Sequence, residues 1–235
     1  MGSLKKAWMV GLAVAVLLCL PGFVHAGFYF ESEQVTVGVP GQPPGNKLIK
    51  TYLMDNFSRT DRGDAISIMD YQTMISYELN PLSKTYTKHD MTKLRGMGEM
   101  EGASAEQMQR IAKQMADSMK IVPTDETMTV AGYDCRKYDV QFMMATGVYW
   151  VTQDIKGYKK LRTLTLNMAK AFEQNPMMKQ MNVMAMMDQM EGFPIKTIMN
   201  VMGGQITTTV KTIQEKPLDK SLFEVPKGYT LVENR

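Results

Sequence analysis

The side chains with most chemical character in this sequence are its methionines. There are 24, and 19 of them lie between Met91 and Met202. The densest run holds Met177, Met178, Met181, Met184, Met186, Met187 and Met190. A helix would spread these over too wide an arc for one packing seam. Three readings follow. Methionine, being flexible, can fill an irregular core. It can form an adaptable apolar surface for a lipid, an acyl chain or a partner segment. Third, its thioether is a soft ligand suited to copper(I). Copper sites usually add histidine or cysteine, and the dense run has neither.

Other chemistry is sparse. The two histidines are His25 and His89, and the two cysteines are Cys19 and Cys135. If the first 26 residues are removed, one of each remains, too few for a histidine metal cluster, a pair of catalytic imidazoles or an internal disulfide. No Gly-x-Ser-x-Gly elbow, phosphate loop, dinucleotide fingerprint or Cys-x-x-Cys pair follows residue 26. The carboxylate pairs Asp61/Asp64, Asp125/Glu126 and Asp188/Glu191 fit solvated turns and helix ends. Arg62-Gly63-Asp64 is the adhesive tripeptide, but here it reads as a hairpin turn. Catalytic residues, cofactor and metal are therefore all expected to be none.

The elements that would position these side chains are mostly strands. Gly27 to Leu94 alternates in the β manner, with Gln42 to Asn46 as a connecting loop. Strands are predicted over Leu48–Ser58, Ala65–Tyr71, Met74–Leu79 and Lys84–Lys88, with Asn80-Pro81-Leu82-Ser83 as a turn. Met108, Ile111, Ala112, Met115 and Met119 then recur at helical spacing behind a Ser104/Gln107 capping box, in a helix ending before Pro123. Strands return over Thr127–Val130, Tyr133–Met143 and Gly147–Ile155. A second helical region runs from Lys159 to Glu191, with Leu161, Leu164, Met168 and Phe172 on one stripe and a break at Asn175-Pro176. Phe193–Met202, Gln205–Glu215 and Tyr229–Val232 complete the sheet, with Gly203-Gly204 as a hairpin turn. This order is α+β, with helices on one face of an antiparallel sheet and the other face in water.

The N-terminus carries an export signal. Lys5 and Lys6 precede about 13 uncharged residues from Trp8 to Leu20, Pro21-Gly22 breaks the run, and Val24-His25-Ala26 offers a cleavage site before Gly27. The apolar run is shorter than the roughly 17 to 25 residues a spanning helix needs. Residues 1–26 are thus read as a signal peptide and 27–235 as a single domain without a transmembrane segment. The formal charge of +3 falls to +1 once Lys5 and Lys6 are gone, which gives no footing for nucleic acid. Cys135, in a strand-like run, is expected to be a buried, inert thiol.

Several short motifs resemble an exported bacterial family, domain of unknown function 4412. They are Gly132-Tyr133-Asp134-Cys135-Arg136-Lys137-Tyr138, Trp150 with Thr152, Gly192-Phe193-Pro194-Ile195, and Asp219 to Tyr229 with Leu222-Phe223, Val225-Pro226 and Gly228-Tyr229. The Leu79 to Tyr86 segment fits as well. That family is similar in layout to periplasmic lipoprotein carriers of the LolA and LolB type and to sigma-factor regulators with the same open barrel. The resemblance implies a curved antiparallel half-barrel with helices packed across its concave face.

Taken together, these features lead to the expectation of a periplasmic, non-enzymatic protein. It would bind or carry an apolar ligand, a lipid acyl chain or lipoprotein segment, beneath a methionine-rich helical lid. Trp150, Met168, Phe172, Met181 and Met184 are the expected lining. The alternative is an envelope structural or regulatory module with a protein partner, and copper(I) binding by the methionine cluster comes third.

Overall fold

The computed structural model describes residues 25–93, 105–142, 145–174, 179 and 187–233. Its frame is one large, open, curved sheet of twelve strands, antiparallel except at one edge. In chain order the strands are β1 (His25–Val37), β2 (Gly45–Met54), β3 (Phe57–Asp61), β4 (Ile66–Asp70), β5 (Ile75–Asn80), β6 (Thr85–Asp90), β7 (Lys120–Val130), β8 (Tyr133–Phe142), β9 (Ala145–Thr152), β10 (Phe193–Val201), β11 (Gly204–Leu218) and β12 (Thr230–Leu231). Their order across the sheet is β12-β6-β5-β4-β3-β2-β1-β11-β10-β9-β8-β7. Helices α1 (Ala105–Ser118) and α2 (Tyr158–Ala171) stand between β6 and β7 and between β9 and β10.

Turn chemistry sets the registers. Asp70 Oδ1 accepts from the backbone N–H groups of Gln72 and Thr73 at 2.9 and 3.2 Å, and Met74 then turns left-handed with φ 55°. Asn80 repeats the device toward Leu82 and Ser83 at 3.0 and 3.1 Å, with Lys84 at φ 52°. Both are Asx-capped hairpin turns closed by a residue of positive φ. At Met202-Gly203 both residues have positive φ, 50° and 83°, the signature of a tight two-residue hairpin. The turn thus falls one residue earlier than Gly203-Gly204, and Gly204 opens β11.

Three more boundaries differ from expectation. Leu48–Ser58 is not one strand: Asp55 takes φ 48° and splits it into β2 and β3. β7 starts at Lys120 instead of Thr127, because Pro123 is accommodated at an irregularity between Pro123 and Thr127 on an edge strand. β9 runs Ala145–Thr152, starting two residues before the expected Gly147 and ending before Ile155. In the second helical region, α2 is followed by a short 3-10 turn at Phe172–Gln174, and the expected break at Pro176 lies outside the described residues.

The expectation that one face meets water is overturned. In β2, adjacent Leu53 and Met54 point opposite ways, and both are buried, at 9% and 1% exposure. Leu53 joins a core with Phe28, Phe30, Trp150, Leu161, Met168, Ile195 and Val210, so α2 packs onto the sheet there. Met54 joins a second core with Ile66, Ile68 and Leu79, covered by the C-terminal Leu218, Leu222, Phe223 and Tyr229. Phe223 meets Phe57 at 5.7 Å, and Arg59 Nη1 donates to the Leu222 carbonyl at 2.9 Å. The chain end then pairs in parallel with β6 through Thr230 and Leu231. The strand tail supplies apolar cover that the helices alone do not.

Candidate functional site

Trp150 and Val151 make the same point at the other end of the sheet. Trp150 lies in the α2 core, whereas Val151 joins Ile121, Tyr138 and Val140 in a third cluster. Against this third cluster pack Met119, which follows α1, Tyr149, and Met190, the last methionine of the dense run. The Glu191 backbone N–H donates to the Tyr138 hydroxyl at 3.3 Å, holding the end of that run on β8. Burial pushes the Tyr149 phenol above its ordinary pKa, so it stays neutral at physiological pH.

From this cluster two rows of paired residues cross the sheet. Paired residues in adjacent strands project to the same face. One row runs Ile121, Val140, Gly147, Met199, Ile206, Thr36 and Gly45, spanning seven strands. Beside it runs Tyr138, Tyr149, Thr197, Thr208 and Gln34. Most of these side chains in β10 and β11 are only half-buried. The rows therefore form a floor of apolar and hydroxyl groups with a methionine wall at one end. Its centre is tightly built: a methyl group on Gly147 would stand 2.3 Å from the Met199 sulfur and 2.7 Å from the Ile198 carbonyl oxygen. Met199 thus lies flat across Gly147 and fills the place of a side chain there. A cleft of about 360 Å³ opens over the same strands but mainly on their opposite face, where Val122, Asp139, Gln141, Thr146 and Val148 line it.

The expected lining residues are dispersed. Trp150 and Met168, 9% and 6% exposed, meet in the α2 core, which protein side chains fill. Phe172 is half-buried at the end of α2, edge-on to Tyr71 at 5.6 Å. Met181 and Met184 lie outside the described residues. The floor residues Tyr149, Thr197, Met199 and Ile206 escaped the sequence reading. Their signal was the alternation within β9 to β11, which shows which positions share a face only once register is known.

Away from the floor, Cys135 and the charges of the Arg-Gly-Asp turn have partners within the fold. Cys135 is 1% exposed, its thiol donates to the Tyr133 carbonyl at 3.4 Å, and burial raises its pKa, so it is an inert core group. Asp64 of the Arg-Gly-Asp turn is held by Lys47 at 2.7 Å, which keeps its carboxyl below the usual range. Arg62 donates to Ser67 at 3.1 Å, so the turn uses both charges internally. Among the described residues, no three or more His, Cys, Asp or Glu are grouped to hold a metal. No helix among them is long and apolar enough to cross a membrane.

The fold and floor together define an open-sheet α+β protein with a broad sheet face. The chain belongs to the family described as Domain of unknown function (DUF4412), whose model matches residues 45–229. No curated protein matches it. Among solved structures it is similar to PNGF-II in two crystal forms, at 12% identity and TM-scores of 0.41 and 0.42, covering 89% of this chain and 31% and 32% of that one. The chain thus spans about a third of the length of PNGF-II. A LolA superfamily protein from Nitrosomonas europaea shares 9% identity at TM-score 0.33, over 86% of this chain and 92% of that one. A DUF1329 family protein from Desulfovibrio piger shares 11% identity at TM-score 0.32, over 85% and 90%.

Proposed function

We propose that this is an exported, periplasmic, non-catalytic protein that binds or carries an apolar ligand, a lipid acyl chain or lipoprotein segment, on the sheet face that carries Met199. The observation that supports this most is the seven-strand row with Met199 laid over Gly147, beside a wall made by Met119 and Met190. An extended acyl chain needs a long surface of low polarity whose contacts adapt to its conformers, and half-buried thioethers and threonine methyls supply it. In this reading the face is the concave one, and the methionine-rich run carrying Met181 and Met184 covers the ligand. Phe172 flanks the cover from the end of α2. Trp150 points away from its neighbour Tyr149 in β9, and Met168 is packed within the α2 core, so neither lines the rows.

The alternative of a protein-docking module through a sheet edge has less support. β7 is interrupted at Pro123 and β12 is two residues long, and both features blunt an edge against strand addition. The test is native mass spectrometry after gentle purification, followed by titration with a fluorescent acyl probe. Co-purified lipid or saturable uptake, weakened by Met199→Lys, is expected. A bare protein that takes up no probe overturns the proposal.

A further inference from the structure

The most exposed large apolar side chains among the described residues are Leu82, Met202 and Val37, at 88%, 73% and 59%. The registers place all three at one end of the strands. Val37 ends β1 opposite Gln205, next to the Met202-Gly203 turn that joins β10 to β11. The row of pairs Glu31, Lys50, Asp61, Ile66 and Leu79 carries this direction across the sheet to the turn between Asn80 and Thr85, which holds Leu82. Turns at the opposite end, Asp55-Asn56, Gln72-Thr73 and Ala131-Gly132, present small or polar residues. Met202 takes φ 50°, a left-handed conformation that tight hairpins normally give to Asn, Asp or Gly. The position thus forgoes both backbone preference and burial, a combination that packing does not explain. The corner around it is tightly built, since a methyl group on Gly204 would stand 2.3 Å from the Val39 backbone nitrogen. The Gly38-Val39 bend and the β10–β11 hairpin press together there and hold Val37 and Met202 side by side.

These apolar groups stand on separate tips. A stable protein interface covers about 800 Å² on each partner with contiguous, well-packed surface, which separate tips do not offer. A fluid lipid surface accepts each tip independently. Charges at this end are balanced, with Lys47 on Asp64 at 2.7 Å and Arg59 beside Asp61 at 3.8 Å, so they give no strong pull toward an anionic surface. The same end also opens the floor. Thr36, which precedes Val37, and Met199, shortly before Met202, both belong to its seven-strand row. We propose that this rim docks end-on against a neutral lipid surface, with Leu82, Met202 and Val37 entering it, so that an acyl chain passes between the bilayer and the Met199 row. The docking stands on the rim residues alone, whereas the passage of a chain rests on the carrier reading above.

The test uses the protein as recovered from cells expressing the full chain in a Cys19→Ser background, where Cys135, 1% exposed, does not label. An environment-sensitive dye is attached through Leu82→Cys, Met202→Cys, Asn56→Cys or Gln72→Cys, one at a time, and phosphatidylcholine vesicles are added. Emission should shift to the blue at positions 82 and 202 and stay unchanged at 56 and 72. The triple variant Val37→Thr, Leu82→Ser, Met202→Asn should partition to vesicles at least about 10-fold less, the change expected from keeping even one apolar side chain in water. Its Tm should hold or rise, because Asn suits the backbone at 202 and Thr suits a strand at 37. Its affinity for a soluble acyl probe should be kept. Equal shifts at both ends, no shift at 82 and 202, or a triple variant that partitions like the wild type overturns the proposal. A protein that docks by this rim yet takes up no soluble acyl probe keeps the docking and overturns the passage of the chain together with the carrier reading.

Discussion

Replacing Gly147 by alanine tests the floor at its tightest point. The added methyl would meet the Met199 sulfur at 2.3 Å and the Ile198 carbonyl oxygen at 2.7 Å, both well inside van der Waals contact. The sulfur sits on a flexible chain and can swing away, but the carbonyl belongs to the β9–β10 ladder and can recede only if the strands part. Overpacking of this kind costs about 1–3 kcal/mol. Against it stands the stiffer unfolded chain of an alanine, worth about 0.4–1 kcal/mol where the backbone is compatible. A net loss of about 1–2 kcal/mol follows from the two. For a chain of this size that is a fall in Tm of roughly 2–8 °C. Urea unfolding of G147A, M199A and the double variant separates the two contacts. In the M199A background the methyl meets only the carbonyl, so the cost of G147A should shrink by about 0.5 kcal/mol or more, a coupling typical of residues in contact. Acyl-probe affinity should fall in G147A because Met199 is displaced from the floor. If G147A costs under about 0.5 kcal/mol and leaves probe binding unchanged, the placement of Met199 is wrong.

Further expectations follow from the packing. Leu161→Ala empties a 1%-exposed site between α2 and the sheet and should cost about 2–5 kcal/mol by denaturant unfolding. Asp70→Ala and Asn80→Ala each remove the acceptor of two turn N–H groups and should each cost about 1 kcal/mol, independently of one another, as measured by Tm. Phe223→Ala should raise hydrogen exchange in β12 and at the buried positions of β4 before it affects β8, because Phe223 belongs to the C-terminal cover. The Ser221 backbone N–H donates to Asp219 and holds its carboxyl below the usual range. The stabilisation is therefore complete above the unfolded value near pH 4 and is lost as pH falls through the lower folded value. Exchange of the Ser221 amide, followed by NMR down a pH series, should rise on that acid limb in the wild type and be flat in Asp219→Asn.

Several strand ends were legible because their turns are written in short polar signals. Asp70 and Asn80 cap two successive hairpins in the same way, and both turns fall where the sequence places them. What could not be read is which strand faces which, because alternation within a strand is silent about its neighbour until register is known. Hence Trp150 and Met168, chosen as large apolar groups near the methionines, sit in the α2 core, while Met199 and Tyr149 occupy the open rows. The burial of both faces at Leu53/Met54 was equally hidden. It depends on the Leu218–Tyr229 tail crossing back over strands more than a hundred residues earlier.

That double burial narrows where a ligand can lie. α2 occupies one face over the Phe28 and Trp150 region, and the C-terminal tail occupies the opposite face over β2 to β5. The half-buried rows over β9, β10, β11 and β1 are the stretch between these covers, bounded by Met119 and Met190. A ligand there runs across strands, meeting Tyr149, Thr197, Thr208 and Gln34 on one row and Met199 and Ile206 on the next. Strands are about 4.8 Å apart, so four of them span roughly 15 Å, about the length of twelve extended methylene groups. Shortening the probe from sixteen carbons to eight should therefore cost far more affinity than shortening it from sixteen to twelve, at about 0.8 kcal/mol per buried methylene. An affinity insensitive to chain length in this range would show that the rows do not hold the chain along their length.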